Sequence, residues 1–428
     1  MLTRFLKPLA LVGLILIMPA QVKGQPHINN VESPQSVNQV VNNPNCTAYE
    51  RAWGDWCVYT FTDAVPDKVV NGFANIYHAS AWYEDNKWQM VVGGWRTATQ
   101  DHDHIFKLSS TDQYGVSSFN QVGTTAYINN AWETTASADC PPANPYLNET
   151  PKPCPVSGTS VRSYHSVQPD LFSMKWTRPR PAGWTCCDTL YYAYDIQEAH
   201  DPEQNVAIHY AWIDANGILQ RGGMYGDKNP ILNWHIGSTN NRYVTGTSDA
   251  RVTYDPATQK FYMIYTDHGF SNILTNPVSK SFLSIAQSNW TNLAYTNPVT
   301  NILPWVGSSN VNGQIVVTGN NPYEYYLFYT VYPSSNSDIW VVKSSGGITG
   351  PYEQQNAKKI ISPVAPYKVA GTPYVFCNTA INPPQWQMYF NGATTATDNQ
   401  IFTAFLHKTC EYDANNPTVP SLTPPVLP

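Results

Sequence analysis

Five times along this chain one short pattern recurs: an aromatic residue or leucine, alternating apolar positions, and a bulky residue to finish. The five copies are Trp88–Val92, Leu190–Tyr194, Phe261–Tyr265, Tyr325–Tyr329 and Trp386–Phe390, with starts 102, 71, 64 and 61 residues apart. Each follows a short apolar run: Ala81–Tyr83, Leu171–Phe172, Arg251–Tyr254, Ile315–Val317 and Tyr374–Phe376. Each precedes, after a polar loop, a third run: Ile105–Ser109, Val206–Tyr210, Phe282–Ala286, Ile339–Lys343 and Ile401–Phe405. Period-2 runs bounded by turn residues read as strands. A unit of three or four antiparallel strands cannot bury both faces alone, so units stack. The pattern therefore predicts an all-β chain, a five-bladed β-propeller over 56–412, with Trp56–Phe61 as an outer strand closing the ring. A pair of β-sandwiches is the competing arrangement, but sandwiches do not repeat a three-strand unit five times.

Residues 1–24 read as a signal peptide, with Arg4 and Lys7 ahead of the apolar run Leu9–Met18 and a cut after Gly24. That run is too short to span a bilayer, and no later stretch is long and apolar enough. The expected location is secreted, extracellular or periplasmic. Residues 25–55 read as an extended segment, and 413–428 as a disordered proline-rich tail. The even set of eight cysteines implies disulfides in such a chain. Cys46–Cys57 and Cys140–Cys154 are reasonable local pairs. Asn45, Asn148 and Asn289 stand in glycosylation triplets. A net charge of −6 with no basic run excludes a phosphate-binding surface, so nucleic acid is not an expected partner. The chain reads as a monomer.

Some segments resemble the five-bladed propeller glycosidases of the arabinanase/β-xylosidase and invertase/levansucrase families. The carriers are Tyr254–Thr266, Tyr325–Thr330, and Asp338–Ser345 with Gly350–Glu353. The resemblance covers roughly residues 70 to 410. It implies a carbohydrate ligand of arabinan, xylan or fructan type. It also implies two Asp and one Glu near the starts of inner strands. Aligned on those starts, Ala79, Gln168, Asp249, Gly313 and Thr372 are equivalent, so only Asp249 is acidic; Asp170 lies two residues beyond Gln168.

Strand alternation adds a separate argument. The loops between second and third strands share one end of the molecule with the first-strand starts. His78, His102, His104, His165, His200 and His268 fall at that end, with Asp101, Asp103, Asp170, Asp195, Glu198, Asp201, Asp249 and Asp267. The opposite loops carry Glu84, Asp85, Asp188, Asp255 and Glu324 and no His. Converging loops at one mouth are where propellers place ligands, although loops are polar in any fold.

Glycoside cleavage needs a carboxylic acid facing a carboxylate. Asp249 is the candidate base or tuning carboxylate, against a strand-start cap or an ion pair with Arg251 or Arg242. Asp170 is the candidate second carboxylate, against a turn residue after Pro169. Glu198 is the candidate proton donor, against a solvated loop charge. His78, His165, His268 and Trp95 are candidate substrate contacts. His102 and His104, spaced i, i+2, are candidate ligands for a divalent metal ion in the central channel, with His78 or His165 as a third. A hydrogen-bonded loop entering a strand is the plainer account. Three readings stay open: a glycoside hydrolase, a carbohydrate-binding or adhesion propeller without the catalytic Glu, and a metal-dependent hydrolase or lyase.

Overall fold

The computed structural model describes residues 56, 58–59, 69–84, 86–96, 104–112, 115–116, 118–122, 164–173, 190–199, 204–213, 219–221, 245–268, 281–289, 292–299, 302–303, 309–319, 322–332, 336–363, 366–380, 384–395, 398–410 and 413. The expected signal peptide and N-terminal segment, the expected tail beyond its first residue, and the pairs Cys46–Cys57 and Cys140–Cys154 lie outside them; that first residue, Asp413, is buried and accepts the Cys377 N–H at 2.9 Å. Among the described residues there is no α-helix and one short 3₁₀ turn, Gln354–Asn356. The all-β expectation holds for these residues.

The strands form five antiparallel meanders, and every run read from the sequence falls in its expected strand. An N-terminal strand β1 (Val58–Tyr59) comes first. The first meander is β2 (Asn75–Glu84), β3 (Lys87–Trp95), β4 (His104–Ser110) and β5 (Asn120–Gln121). The second is β6 (Tyr164–Ser173), β7 (Leu190–Ala199), β8 (Gln204–Ile213) and β9 (Leu219–Arg221). The third is β10 (Thr245–Asp255), β11 (Lys260–His268), β12 (Ser281–Asn289) and β13 (Asn292–Val299). The fourth is β14 (Ser309–Thr318), β15 (Glu324–Tyr332), β16 (Asp338–Gly347), β17 (Gly350–Tyr352) and β18 (Lys358–Ile361). The fifth is β19 (Val369–Asn378), β20 (Gln385–Ala393) and β21 (Gln400–Thr409), with β1 added outside β21. They make four sheets, because a short parallel pairing of β8 with β10 joins the second and third meanders.

The aromatic second strands explain the stacking. In β15, Tyr325, Leu327 and Tyr329 face a core shared with Ile264 and Leu283 of the third meander. The alternate residues Tyr326 and Phe328 face a core shared with Trp386, Met388 and Phe390 of the fifth. A strand buried on both faces has no polar side to spare, which is why it reads as nearly continuous aromatic and aliphatic sequence. A third core joins Trp88 and Met90 to Tyr374, Phe376 and Tyr389, and so the first meander to the fifth. Trp56 is buried with its ring 5.1, 5.0 and 5.4 Å from those of Tyr326, Phe328 and Trp386. It anchors β1, whose Val58 and Tyr59 pair with Leu406 and Phe405. A disulfide, Cys377–Cys410, ties β19 to the end of β21.

The five first strands touch in order: β2 with β6, β6 with β10, β10 with β14, β14 with β19, and β19 with β2. Side chains stitch these neighbours through their backbones. Thr253 Oγ1 donates to the Ile315 carbonyl at 2.8 Å, and Gln314 Nε2 donates to the Val375 carbonyl at 2.9 Å. The Val375 N–H returns a bond to Gln314 Oε1, and the Tyr374 hydroxyl donates to the Ala81 carbonyl at 2.9 Å.

Candidate functional site

Each first strand is interrupted at the same place. The pairing with its second strand skips two residues between Tyr77 and Ser80, Val167 and Asp170, Ser248 and Arg251, Val311 and Gln314, and Gly371 and Tyr374. These are β-bulges, which re-aim side chains and recur beside functional sites. The first residues of the bulges are His78, Gln168, Asp249, Asn312 and Thr372. This corrects the alignment made from the sequence in two of five positions, where Ala79 and Gly313 stood for His78 and Asn312. A bulge breaks the period-2 count, so the register shifts by one residue where no side chain announces it.

Four of the five carry a left-handed backbone: φ is 56° at His78, 56° at Asp249, 51° at Asn312 and 49° at Thr372. That conformation costs an ordinary residue roughly 1–2 kcal/mol, and for a β-branched threonine it is a marked outlier. The second bulge residues, Ala79, Pro169, Ala250, Gly313 and Pro373, are small or proline. At Gly313 a Cβ would stand 2.7 Å from Ile264 Cδ1, so bulk is excluded there. A polar residue followed by Ala, Gly or Pro at the head of each first strand was the available sequence signal. It would have found Asn312, which the sequence reading missed.

Neighbouring second strands hold these bulges in place. The Asn312 N–H donates to Thr266 Oγ1 at 3.0 Å, and the Thr372 N–H to Thr330 Oγ1 at 2.9 Å. The His78 N–H donates to Asn391 Oδ1 at 3.1 Å, and the same oxygen accepts the Thr372 hydroxyl. Ser248 Oγ donates to Asp249 Oδ2 at 3.1 Å. His78, Asp249, Asn312 and Thr372 are all buried. Among the described residues, neither ring nitrogen of His78 has a hydrogen-bond partner, nor has Asn312 Oδ1. Burial, and secondarily the Arg251 guanidinium, hold the His78 imidazole well below its usual 6.5, so it is neutral at pH 7. Burial, then the nearby Asp249 charge, push the Tyr332 hydroxyl upward.

Asp170 belongs to a different layer. It follows its bulge, as Arg251, Gln314 and Tyr374 follow theirs. Its Oδ1 pairs with Arg251 Nη1 at 3.1 Å and its Oδ2 accepts the Val252 N–H at 2.7 Å. Arg251 Nη2 also donates to the Ala79 carbonyl at 3.0 Å, and its guanidinium lies 5.0 Å from the Tyr374 ring centre. Arg251, weighed from the sequence as a partner for Asp249, pairs with Asp170.

The remaining candidates lie by backbone position at the same end as the bulges. Trp95 closes β3, half-buried and paired with Asn75. His104 opens β4 opposite Gly94, and His165 pairs with Gln197 near the start of β6. Glu198 pairs with Tyr164 near the end of β7, and His268 closes β11 opposite Gly246. His102 lies outside the described residues. Among those described, no three His, Cys, Asp or Glu side chains gather as a metal site would require.

No protein-family model matches the sequence, and no curated protein matches it. Solved structures do. A structure described as a glycoside hydrolase aligns with 80% of this chain and 90% of its own at 15% identity, with a TM-score of 0.50. An exo-1,5-alpha-L-arabinanase from a bovine ruminal metagenomic library aligns with 79% of this chain and 94% of its own, at 14% identity and a TM-score of 0.46. An endo-arabinase from Bacteroides thetaiotaomicron aligns with 82% and 98%, at 11% identity and a TM-score of 0.44. The expected resemblance to glycoside hydrolases therefore holds at the level of the fold. A likeness at 15% identity concerns the fold and not the chemistry.

Proposed function

We propose that the five meanders close into a five-bladed β-propeller and that the chain is a secreted protein acting on a polysaccharide of arabinan, xylan or fructan type. The cyclic contacts of the five first strands and the addition of β1 to the fifth meander support the closed ring. The observation that carries the functional reading is the ring of buried polar bulge residues, His78, Asp249, Asn312 and Thr372. Left-handed, strained backbone repeated at one level is kept where function uses it. Unpartnered imidazole and amide groups there suit a ligand rich in hydroxyls.

For hydrolysis, Asp249 is the base or nucleophilic carboxylate in this layer and Glu198, at the same end by strand position, the proton donor. One carboxyl group gives its proton to the leaving sugar oxygen, and the other draws a proton from water or attacks the anomeric carbon. The Asp170–Arg251 pair supports the bulges from beneath. A screen of arabinan, xylan and fructan oligosaccharides, with Asp249→Asn beside the wild type, tests this. Turnover reduced at least ~100-fold by Asp249→Asn is expected, within the range of general acid–base contributions. Turnover equal in both proteins overturns the assignment.

One observation favours a second reading, a carbohydrate-binding propeller without catalysis: Asp170 is committed to Arg251 and the backbone. Saturable glycan binding with no turnover selects that reading.

A further inference from the structure

The bonds that hold the bulges follow one rule. In three meanders, the second-strand residue opposite the position just before the bulge sends its side-chain oxygen to the bulge of the next meander. Thr266, opposite Ser248, serves Asn312; Thr330, opposite Val311, serves Thr372; Asn391, opposite Gly371, serves His78. The same register position is Asp195 in the second meander, opposite Val167, with Asp249 as the next bulge residue. In the first meander it is Gly93, opposite Tyr77, which has no side chain to offer.

We infer that Thr266, Thr330 and Asn391 are a set of positioning residues, with Asn391 setting His78. Asn391 matters most because its Oδ1 receives two donors, the His78 N–H and the Thr372 hydroxyl, and so couples two site residues. It is itself buried, at 2% exposure. Left-handed backbone is uncommon even for histidine, which adopts it more often than most residues, and it needs a local reason to persist. An oxygen placed to accept its N–H supplies one, because an unsatisfied buried N–H is costly. Gly371, opposite Asn391, fits the same design: a Cβ there would meet Thr330 Cγ2 at 3.1 Å, crowding the neighbouring latch. The inference rests on the functional reading only for what His78 then does with a ligand.

The test is the imidazole titration of His78 by nuclear magnetic resonance in the wild type, Asn391→Ala and Asn391→Thr, alongside binding of debranched arabinan. The wild-type ring is expected to titrate well below 6.5. Asn391→Ala should move it toward 6.5 and weaken arabinan binding about tenfold, the scale of one lost positioning hydrogen bond. Asn391→Thr, which puts here the residue type found at positions 266 and 330, should restore both. A His78 titration unchanged in Asn391→Ala overturns the role, as does a threonine variant that behaves like alanine. If the alanine variant does not fold, Asn391→Thr alone decides, a wild-type titration supporting the role and a shifted one overturning it. Arabinan binding indifferent to a released His78 overturns the ligand contact and leaves the latch standing.

Discussion

Two layers of side chains, one step apart along the first strands, behave in opposite ways. The deeper layer, Asp170, Arg251, Gln314 and Tyr374, sends side chains across to neighbouring strands, where they meet a charged partner or a backbone group. The bulge layer, His78, Asp249, Asn312 and Thr372, is just as buried but spends strain on left-handed backbone and leaves imidazole and amide atoms without partners. Satisfied buried polar groups specify a structure. Unsatisfied ones held in a costly conformation are the candidates for a functional role. The difference separates two aspartates that are equals in the sequence: Asp170 joins strands, and Asp249 stands at a bulge.

The sharpest way to break this contrast is Arg251→Leu. It strands the Asp170 carboxylate in the interior, and urea unfolding should show about 3–5 kcal/mol lost, the usual cost of removing one partner from a buried pair. A loss under ~1 kcal/mol would mean that the deeper layer is not structural. Next comes Gln314→Leu, which leaves the Val375 N–H and carbonyl unserved and should cost about 1–3 kcal/mol by the same measurement. The bulge layer should respond to pH instead. His78 has a folded-state pKa below its unfolded value, so the unfolded chain binds the extra proton. Stability is then unaffected above 6.5 and falls as pH drops below it, by up to ~1.4 kcal/mol per unit until the folded pKa is reached. His78→Asn should lose this slope while tolerating the left-handed backbone, and parallel pH curves for the two proteins would remove His78 from the account. The smallest effect is His78→Gly, where relief of strain should hold stability level or raise it by about 1 kcal/mol while glycan binding falls. A variant that loses both stability and binding would assign His78 to the structural layer.

Much of the fold was legible because it is written in composition at short range. An aromatic strand buried on both sides must be apolar at nearly every position, and five such strands announced five meanders with their flanking partners. Trp56–Phe61 was legible for the same reason, since an alternating segment ahead of the repeat needs an edge to join, and β1 joins β21. The site was legible only in outline. The end of the molecule, Asp249 and His78 could be named from loop order. Asn312 could not, because a one-residue bulge shift carries no hydrophobic signal, and Asn391 could not, because its partner His78 is 313 residues away. Strand order alone assigned Glu198, His165 and His268 to the end of the strands that carries the bulges.

The sequence by itself determined the secondary structure, its fivefold repetition and the end of the strands where polar residues collect. These follow from alternation and turn chemistry, which act over a few residues. Only the tertiary structure decided which buried polar groups pair with one another. That choice depends on which first strands become neighbours, and it is made by contacts between residues tens to hundreds of positions apart, such as Arg251 with Asp170 and Asn391 with His78.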